Sequence, residues 1–266
     1  MPTPATDRFR SLHAAGTFVM PNPFDAGSAR LLAELGFPAL ATTSSGCAAS
    51  LGRLDMHVDR DEMLRHVESI VAATPLPVNV DAERCFGDDP EAVAETVRLI
   101  AATGAAGCSI EDWDPEVGAI DPHDSAVERV ASAAAAAHES ALVLTARCEN
   151  LLHGVLDLDD TIRRLCAYRD AGADAVYAPG LTDLDQIRRV VDETGVPVNV
   201  LLLPGGPSVD ELASAGVRRV SVGGALAHAA YAAVVATARA ILGDGTVQLV
   251  VPRVERALLE AAFAPR

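Results

Sequence analysis

The stretch PVNVLLLPGGPSVDELASAGVRRVSVGGAL, residues 197–226, contains the repeating unit from which the fold can be predicted. An apolar run at 197–202 is followed by a helical pattern at 208–215 and by a second apolar run at 218–224. Strands that are apolar on both faces, each followed by a helix, are typical of parallel sheets. Gly216 lies where the helix should end, a position that favours glycine. The stretch therefore predicts a strand–helix–strand unit with parallel strands.

The same unit recurs along the chain. Five segments place a glycine between a helical pattern and an apolar run: ELGFPAL (34–40), ATGAAGC (102–108), DAGADAV (170–176), ETGVPVN (193–199) and SAGVRRV (214–220). The predicted strands are 17–21, 38–43, 77–82, 105–111, 141–147, 174–179, 197–202 and 218–224. Helices are predicted near 26–35, 60–73, 89–103, 124–139, 158–171, 183–194, 208–215 and 225–241. Eight such units favour a closed (β/α)8 TIM barrel over an open sheet, and no GxGxxG motif follows the first strand.

The length of the chain fits one barrel domain. The sequence has 266 residues, within the usual range for this fold. We expect a single domain over residues 1–266, with the barrel at about 17–241. An extra N-terminal helix is predicted at 4–15 and an extra C-terminal helix at about 252–263.

Composition excludes several classes of function. The formal net charge of −16 argues against a nucleic-acid partner and against anionic membrane surfaces. We expect no membrane span, and we interpret the apolar run at 232–241 as a packed helix. The five cysteines form no CxxC pair and the N-terminus has no apolar leader, which favours a reduced, cytoplasmic setting.

Acidic residues follow two neighbouring predicted strands. In barrels of this kind the reactive groups lie at the C-terminal ends of the strands. Asp81 and Glu83 follow strand three and project to the same side, and Glu111 follows strand four. Carboxylates that face one another repel unless a cation or a proton lies between them. Because no His or Cys accompanies these oxygen donors, the sequence predicts a Mg²⁺ site, with Mn²⁺ as the alternative.

Other strand ends carry groups that can bind an anion. Arg147 after strand five is a candidate carboxylate clamp, or else the ion-pair partner of Glu149 or of a metal-site acid. The segment 42–48, rich in small hydroxyl residues, could offer backbone N–H groups to a carboxylate or could be an ordinary polar loop. Asn199 is a candidate neutral donor. The glycines at 223 and 224 fit either a phosphate site or a tightly packed turn.

Taken together, these motifs resemble the isocitrate lyase/phosphoenolpyruvate mutase superfamily, which includes methylisocitrate lyases and carboxyphosphonoenolpyruvate phosphonomutases. The similarity spans roughly residues 8–240. It is carried by PNPFDAGSARLLAELGFPAL (21–40), TTSSGCAASLGRLD (42–55), VNVDAERCFGDDPEAVAETV (78–97), GCSIEDW (107–113), LTAR (144–147) and residues 197–226.

The resemblance implies a set of functional residues and a type of chemistry. It implies Mg²⁺, an enolate-type intermediate of a pyruvate-like unit, and oligomers that exchange C-terminal helices. The substrate carboxylate would be bound at Ser44, Ser45, Gly46 and Cys47. The metal-site acids would be Asp55, Asp81, Glu83 and Glu111, and the substrate-binding arginine would be Arg147. Among these we expect Arg147, Glu111 and Asp55 to be the catalytic residues.

The sequence also departs from this superfamily where the reaction is chosen. The lyases carry a K-[KR]-C-G-H loop with a catalytic cysteine, and the mutases a loop with Lys and Asn. Here the segment after Glu111 reads DWDPEVGAIDPHD, without Cys or Lys. Strand six ends in Ala178, Pro179 and Gly180, where the lyases have a Glu and the mutases a His–Ser pair. The metal and carboxylate platform is therefore retained, while the groups that select the bond to be broken are replaced.

These observations predict a Mg²⁺-dependent lyase that acts on a small 2-oxo acid or 2-hydroxy carboxylate through an enolate. Cleavage of a C–C bond is favoured, and C–P chemistry ranks second. We expect a homo-oligomer, a dimer or a tetramer. Two alternatives stay open: a metal-dependent aldolase or synthase that binds a phosphate-bearing substrate at Gly223 and Gly224, and a barrel that binds a ligand without catalysis.

Overall fold

The computed structural model describes residues 3–87, 89–247 and 252–265. Its strands are β1 (Phe18–Met20), β2 (Leu40–Ala41), β3 (Val78–Asp81), β4 (Gly107–Glu111), β5 (Trp113–Asp114), β6 (Ala119–Ile120), β7 (Val143–Arg147), β8 (Ala175–Tyr177), β9 (Val198–Leu201) and β10 (Arg219–Ser221). Its helices are α1 (Pro4–Ala14), α2 (Ala26–Glu34), α3 (Ser44–Ser50), α4 (Arg60–Ala73), α5 (Pro90–Ala102), α6 (His123–Glu139), α7 (Leu158–Asp170), α8 (Leu184–Thr194), α9 (Val209–Ser214), α10 (Ala225–Asp244) and α11 (Arg256–Phe263).

Eight of the strands form one parallel sheet that curves into a barrel. Their order is β1-β10-β9-β8-β7-β4-β3-β2, and every neighbouring pair is parallel. The sheet closes between β2 and the end of β1, where the Ala41 N–H donates to the Pro21 carbonyl (3.1 Å) and the Asn22 amide donates to the Thr42 carbonyl (2.8 Å). The predicted (β/α)8 barrel is confirmed.

The alternation of side chains along the strands separates the core from the barrel interior. One set of positions faces the helices and is apolar, for example Val80, Ile110 and Leu144. The other set points into the barrel and becomes polar towards the C-terminal strand ends. At the opposite end, α1 closes the barrel with Phe9, which packs on Phe18. This arrangement leaves one polar, accessible end.

All eight predicted strands are present, and the five glycines that precede strands all have positive φ angles: Gly36, Gly104, Gly172, Gly195 and Gly216. Two elements were not predicted. Helix α3 occupies part of the segment that was interpreted as a ligand loop. It could not be predicted, because its seven small residues show no apolar periodicity. The hairpin β5–β6 has only two residues in each strand, too few for an alternating pattern.

The two C-terminal helices differ from expectation. The segment 232–241 was predicted to be packed, but within this chain most of α10 is exposed, including Val234 and Leu242, and Ala227 is its buried residue. That prediction is wrong for the single chain, because α10 contacts the barrel mainly near its first turn. By length and composition alone α10 could cross a membrane, but a single helix of this kind is weak evidence of a membrane span. Helix α11 packs against α2 of the same chain, so the predicted exchange between subunits stays a prediction.

Candidate active site

A cavity of about 200 Å³ opens at the C-terminal ends of the strands. Its polar wall comes from β3, β4, β7, β8, β9 and β10, from the start of α3, and from the loop before α4. The side chains that line it include Asn22, Thr43, Ser44, Ser45, Asp55, Asn79, Asp81, Ser109, Arg147, Tyr177, Asn199 and Ser221. The cavity is small enough to restrict a ligand to a few carbon atoms.

Arg147 lies at the centre of this site and pairs with three carboxylates. Its guanidinium is 2.8 Å from Asp81 Oδ1, 3.1 Å from Glu111 Oε2 and 2.8 Å from Glu149 Oε1. The register of the sheet sets this geometry, because Glu111 of β4 is directly opposite Arg147 of β7 and β3 is the next strand. The structure therefore shows Arg147 as the ion-pair partner of Glu149 and of two predicted metal-site acids.

Asp81 is held in place by backbone groups. Its own N–H donates to Thr42 Oγ1 (2.9 Å), and its Oδ2 accepts from the Ser44 N–H (3.0 Å). A carboxylate is stabilised at the N-terminus of a helix, where backbone N–H groups are unpaired. The first amide of α3 is consequently bonded to Asp81, although the resemblance assigned the amides of 44–47 to a substrate carboxylate.

Glu83 lies behind the cavity, in a small cleft that it shares with Cys47. Its backbone has a φ angle of 49°, an uncommon conformation for a residue other than glycine. Burial, together with the charges of Asp81 and Asp55, raises the pKa of the Glu83 carboxyl to about 8, and Arg147 only partly offsets the shift. At neutral pH and without a cation, this side chain is mostly protonated.

The charges of the cluster do not balance. Four carboxyl groups, those of Asp81, Glu83, Glu111 and Glu149, surround the single guanidinium of Arg147. Burial raises the pKa of Glu111 and of Glu149, although Arg147 opposes both shifts. Burial alone would lower the pKa of Arg147, but the acids raise it well above its usual value, so the guanidinium stays charged. The excess negative charge requires protons or a cation.

A divalent cation fits this cluster by charge and by donor chemistry. Carboxylate oxygens are the ligands that Mg²⁺ and Mn²⁺ prefer, and Mg²⁺ keeps several waters when it binds proteins. Among the described residues, no three His, Cys, Asp or Glu side chains already form a ready set of metal ligands, since Arg147 holds two of the acids. The residues that would hold the ion are Asp81, Glu83 and Glu111.

The predicted substrate-binding residues are only partly brought together. Ser44, Ser45 and Asn199 line the cavity with Arg147, as does Asp55, which was predicted as a metal-site acid and catalytic residue. Their binding roles stay predictions.

Gly46 and Cys47 do not line the cavity. A Cβ at Gly46 would lie 2.5 Å from Thr43 Cγ2, so this glycine permits close packing. Burial, and secondarily the charge of Glu83, raises the pKa of the Cys47 thiol to about 12, which leaves it a neutral packed side chain.

Three residues of the site were not predicted as functional: Asn22, Glu149 and Tyr177. Asn22 joins three strand ends, because its Nδ2 donates to the Thr42 carbonyl and its Oδ1 accepts from Val222 N–H and Gly223 N–H, each at 2.9 Å. The sequence signal that could have identified Asn22 is its position between two prolines at the end of β1. Glu149 was considered only as an ion-pair partner of Arg147, and that pair is present. Tyr177 follows from the register, which cannot be read from sequence.

The hairpin β5–β6 follows directly after Glu111, in the segment for which the resemblance implied a catalytic loop. Arg84 ties it to the barrel by ion pairs with Asp121 (2.9 Å) and Asp114 (3.3 Å). The Trp113 ring stacks on His153 with centroids 3.4 Å apart. In the described part of the chain, no residue of 113–120 lines the cavity. The hairpin is thus a structural element beside the site, held in place by ion pairs and by ring stacking.

Comparison with known proteins identifies relatives along most of the chain. Residues 9–242 match the family model for phosphoenolpyruvate phosphomutase. The 2-methylisocitrate lyase of Salmonella typhimurium is 34% identical over 73% of this chain and 69% of its own length. The oxaloacetate decarboxylase of a Bradyrhizobium species is 33% identical over 84% of this chain and 79% of its own.

A solved structure leads to the same assignment. The crystal structure of 2,3-dimethylmalate lyase, a member of the PEP mutase/isocitrate lyase superfamily, superposes with a TM-score of 0.86. It is 29% identical and covers 99% of this chain and 95% of its own. The resemblance inferred from the motifs is therefore confirmed, and the chain belongs to the phosphoenolpyruvate phosphomutase family of the PEP mutase/isocitrate lyase superfamily of enzymes.

Proposed function

We propose that this protein is a Mg²⁺-dependent carbon–carbon lyase that acts on a small 2-oxo or 2-hydroxy carboxylate through an enolate. The observation that carries the proposal is the cluster of Asp81, Glu83, Glu111 and Glu149 around Arg147 at the cavity. When bound, a divalent cation would supply positive charge that stabilises an enolate oxygen. Arg147 supplies the remaining positive potential for the substrate carboxylate.

The groups that line the cavity favour loss of CO₂ from a 2-oxo dicarboxylate. The chain contains no lysine, and among the described residues that line the cavity there is no Cys or His. Cleavage of a 2-hydroxy acid needs a base to take the hydroxyl proton. Loss of the carboxylate that lies β to the oxo group needs no base, because the electron pair of the broken C–C bond is taken up as an enolate, which then accepts a proton from water. Asp55 is the cavity carboxylate not engaged with Arg147, and it is the candidate base if a 2-hydroxy acid is the substrate.

The experiment is a substrate panel assayed with Mg²⁺ and with EDTA. It contains oxaloacetate, 2-hydroxy and 2-oxo di- and tricarboxylates, and phosphonopyruvate. We expect Mg²⁺-dependent release of CO₂ or of a 2-oxo acid product from at least one dicarboxylate, and no turnover of phosphonopyruvate. Turnover of phosphonopyruvate alone would replace the proposal with C–P chemistry. Absence of both turnover and Mg²⁺ binding would favour a barrel without catalysis.

The phosphate-site alternative has less support. The backbone N–H groups of Val222 and Gly223, which a phosphate would need, both donate to Asn22. A Cβ at Gly224 would lie 2.6 Å from Ser45 Oγ, so this glycine permits close packing between α3 and α10. The two glycines are thus explained by packing and by closure of the barrel.

The exposed face of α10 supports the proposal of a homo-oligomer. Val234, Val235 and Leu242 are exposed apolar residues on this helix, and Tyr231 is also partly exposed. Burial of such a face against a second copy would remove apolar surface from water. We expect sedimentation to give a dimer or a tetramer and Val235→Glu to shift it towards monomer; a monomeric wild type would contradict this. A cytoplasmic location accords with the proposed metabolic role.

A further inference from the structure

A buried arginine lies on the barrel interior below the cavity. Arg219 of β10 is 2% exposed, and its partners among the described residues are neutral. Its Nη2 donates to Thr145 Oγ1 (2.8 Å), its Nε donates to Asn199 Oδ1 (2.9 Å), and its Nη1 is 3.4 Å from His13 Nε2. A buried cation is costly unless it is paired, so this arrangement calls for a functional explanation.

The hydrogen-bond roles of the neighbours are fixed by what each atom can do. His13 Nδ1 is 2.8 Å from the Phe9 carbonyl oxygen, which can only accept, so Nδ1 carries the proton and Nε2 accepts from Arg219. Burial, aided by the charge of Arg219, lowers the pKa of His13 to about 4 and keeps this ring neutral. The lower end of the network is therefore anchored in α1.

The upper end runs towards the cavity. Because an arginine only donates, Asn199 must present its Oδ1 to Arg219, and its Nδ2 then donates to Ser221 Oγ (3.0 Å). Ser221 lines the cavity together with Tyr177, and Asn199 is directly opposite Tyr177 in the sheet register. The Ser221 hydroxyl offsets part of the rise in the Tyr177 pKa that burial causes, as expected of a donor directed at the phenol oxygen.

The Tyr177 phenol reaches the cavity. Tyr177 lines the cavity together with Asn199 and Ser221, and its O–H makes no hydrogen bond to another described residue. This O–H is therefore free to donate into the cavity. Burial raises the pKa of Tyr177 above its usual value, which keeps the phenol protonated. The ring is also held by Arg147, whose Cζ lies 5.2 Å from its centroid.

We propose that Tyr177 donates a hydrogen bond to the oxyanion of the bound ligand, and that Arg219 is the positioning residue that orients this donor through Asn199 and Ser221. The proposal rests on the proposed function in one respect, that the ligand is a small 2-oxo acid or its enolate. Tyr177 would then add a neutral donor to the positive charges already assigned to the site, and the ligand would bring the counter-charge that Arg219 lacks within the protein.

The test uses oxalate, a small planar dianion that resembles the enolate of pyruvate, and measures its binding by calorimetry with Mg²⁺ present. We expect Tyr177→Phe to weaken oxalate binding at least tenfold. Tyr168→Phe is the matched control, because Tyr168 is also buried and hydrogen-bonded, to Asp112 (2.6 Å), but does not line the cavity. It should bind oxalate within twofold of wild type. Equal affinities for Tyr177→Phe and wild type would overturn the proposal.

The role of Arg219 is tested by rescue and by coupling. Arg219→Met should weaken oxalate binding about as much as Tyr177→Phe, and Arg219→Lys, which can still donate to Asn199, should recover most of the affinity. The double variant Y177F/R219M should bind no more weakly than the weaker single variant, since both act through one donor. Additive losses, or no rescue by lysine, would remove Arg219 from the proposal.

Two further measurements keep the outcome clear. Ser221→Ala breaks the same chain with little change in volume, and it replaces Arg219→Met if that variant does not fold; unchanged oxalate affinity in Ser221→Ala would contradict the proposed order of donors. If the wild type binds oxalate in a Tyr177-dependent manner but turns over no substrate of the panel, only the proposed function fails. A wild type that does not bind oxalate with Mg²⁺ would contradict both.

Discussion

The two sides of the cavity mouth are built on different principles. On one side, the ends of β3, β4 and β7 converge on Arg147, with carboxylates too numerous for the one guanidinium that pairs with them. On the other side, beside the hairpin β5–β6, two acids are matched by two arginines, since Arg84 pairs with Asp114 and Asp121 and Arg129 also pairs with Asp121. An unbalanced cluster is poised to bind a ligand or a cation, whereas a balanced one is a structural support.

This difference indicates which side of the site is common to the family and which side determines the reaction of an individual member. Enolate chemistry requires positive charge beside an oxygen, and the unbalanced side offers Arg147 together with carboxylates that could hold a cation. The segments for which the resemblance implied Cys, Lys or His are here a short hairpin and the residues Ala178 to Gly180. We therefore expect substitutions on the first side to abolish activity and substitutions on the second to have small effects.

The largest effect is expected for Asp81→Ala. Asp81 contacts Arg147 and the start of α3 and lines the cavity, so its loss removes both a proposed metal ligand and the anchor of Arg147. We expect Mg²⁺ binding to be lost and kcat/KM to fall by about a thousandfold or more, with the fold retained. Asp114→Asn on the hairpin is the control and should keep Mg²⁺ affinity. Unchanged Mg²⁺ affinity in Asp81→Ala would exclude the metal assignment.

The next effect concerns stability. Arg147→Met leaves Asp81, Glu111 and Glu149 without their shared cation, and a broken buried ion pair costs about 3–5 kcal/mol. Mg²⁺ should restore part of this loss, because it would neutralise the same carboxylates. Urea unfolding with and without Mg²⁺ measures both quantities. A loss below about 1 kcal/mol would show that protons already neutralise the cluster.

Much of the fold could be predicted from sequence because it is encoded locally. Apolar runs, helical periodicity and a glycine such as Gly36 or Gly216 at each helix end are properties of neighbouring residues. The placement of Asp81 and Glu111 at strand ends was also predicted, since the position of an acid after a buried apolar run is a local feature. The prediction failed for α10, because the exposure of a helix depends on what it packs against in space.

The partners within the site could not be predicted for a related reason. That Glu149 shares Arg147 with two other acids, and that Ser44 N–H is bonded to Asp81, depends on the register between strands and on the course of α3. Likewise, Tyr177 and Arg219 are ordinary strand residues in sequence. Only the folded barrel places both of them next to Asn199. These contacts are determined by the three-dimensional packing of residues that are distant in sequence.

The third prediction uses pH to test whether the cluster is unbalanced. The pKa of Glu83 is about 8 in the folded protein and 4.5 ordinarily, so its favourable contribution to folding is fully present below pH 4.5 and is lost as the pH rises towards 8. In EDTA, Glu83→Gln should equal wild type in stability near pH 5 and exceed it by on the order of 3 kcal/mol at pH 8.5. Parallel stability curves for the two proteins would contradict the raised pKa.

The smallest effect is expected on the balanced side, for Trp113→Ala. The stacking of Trp113 on His153 is worth about 1 kcal/mol, so the free energy of unfolding should fall by roughly that amount. Because no described residue of 113–120 lines the cavity, kcat/KM should change less than about threefold. His153→Ala is the matched control, since it removes the same stack from the other side and should give the same loss of stability. A drop in kcat/KM of thirtyfold or more in Trp113→Ala alone would mean that the hairpin closes over the substrate. The catalytic contribution of this side would then have to be assigned to its motion and not to its residue types.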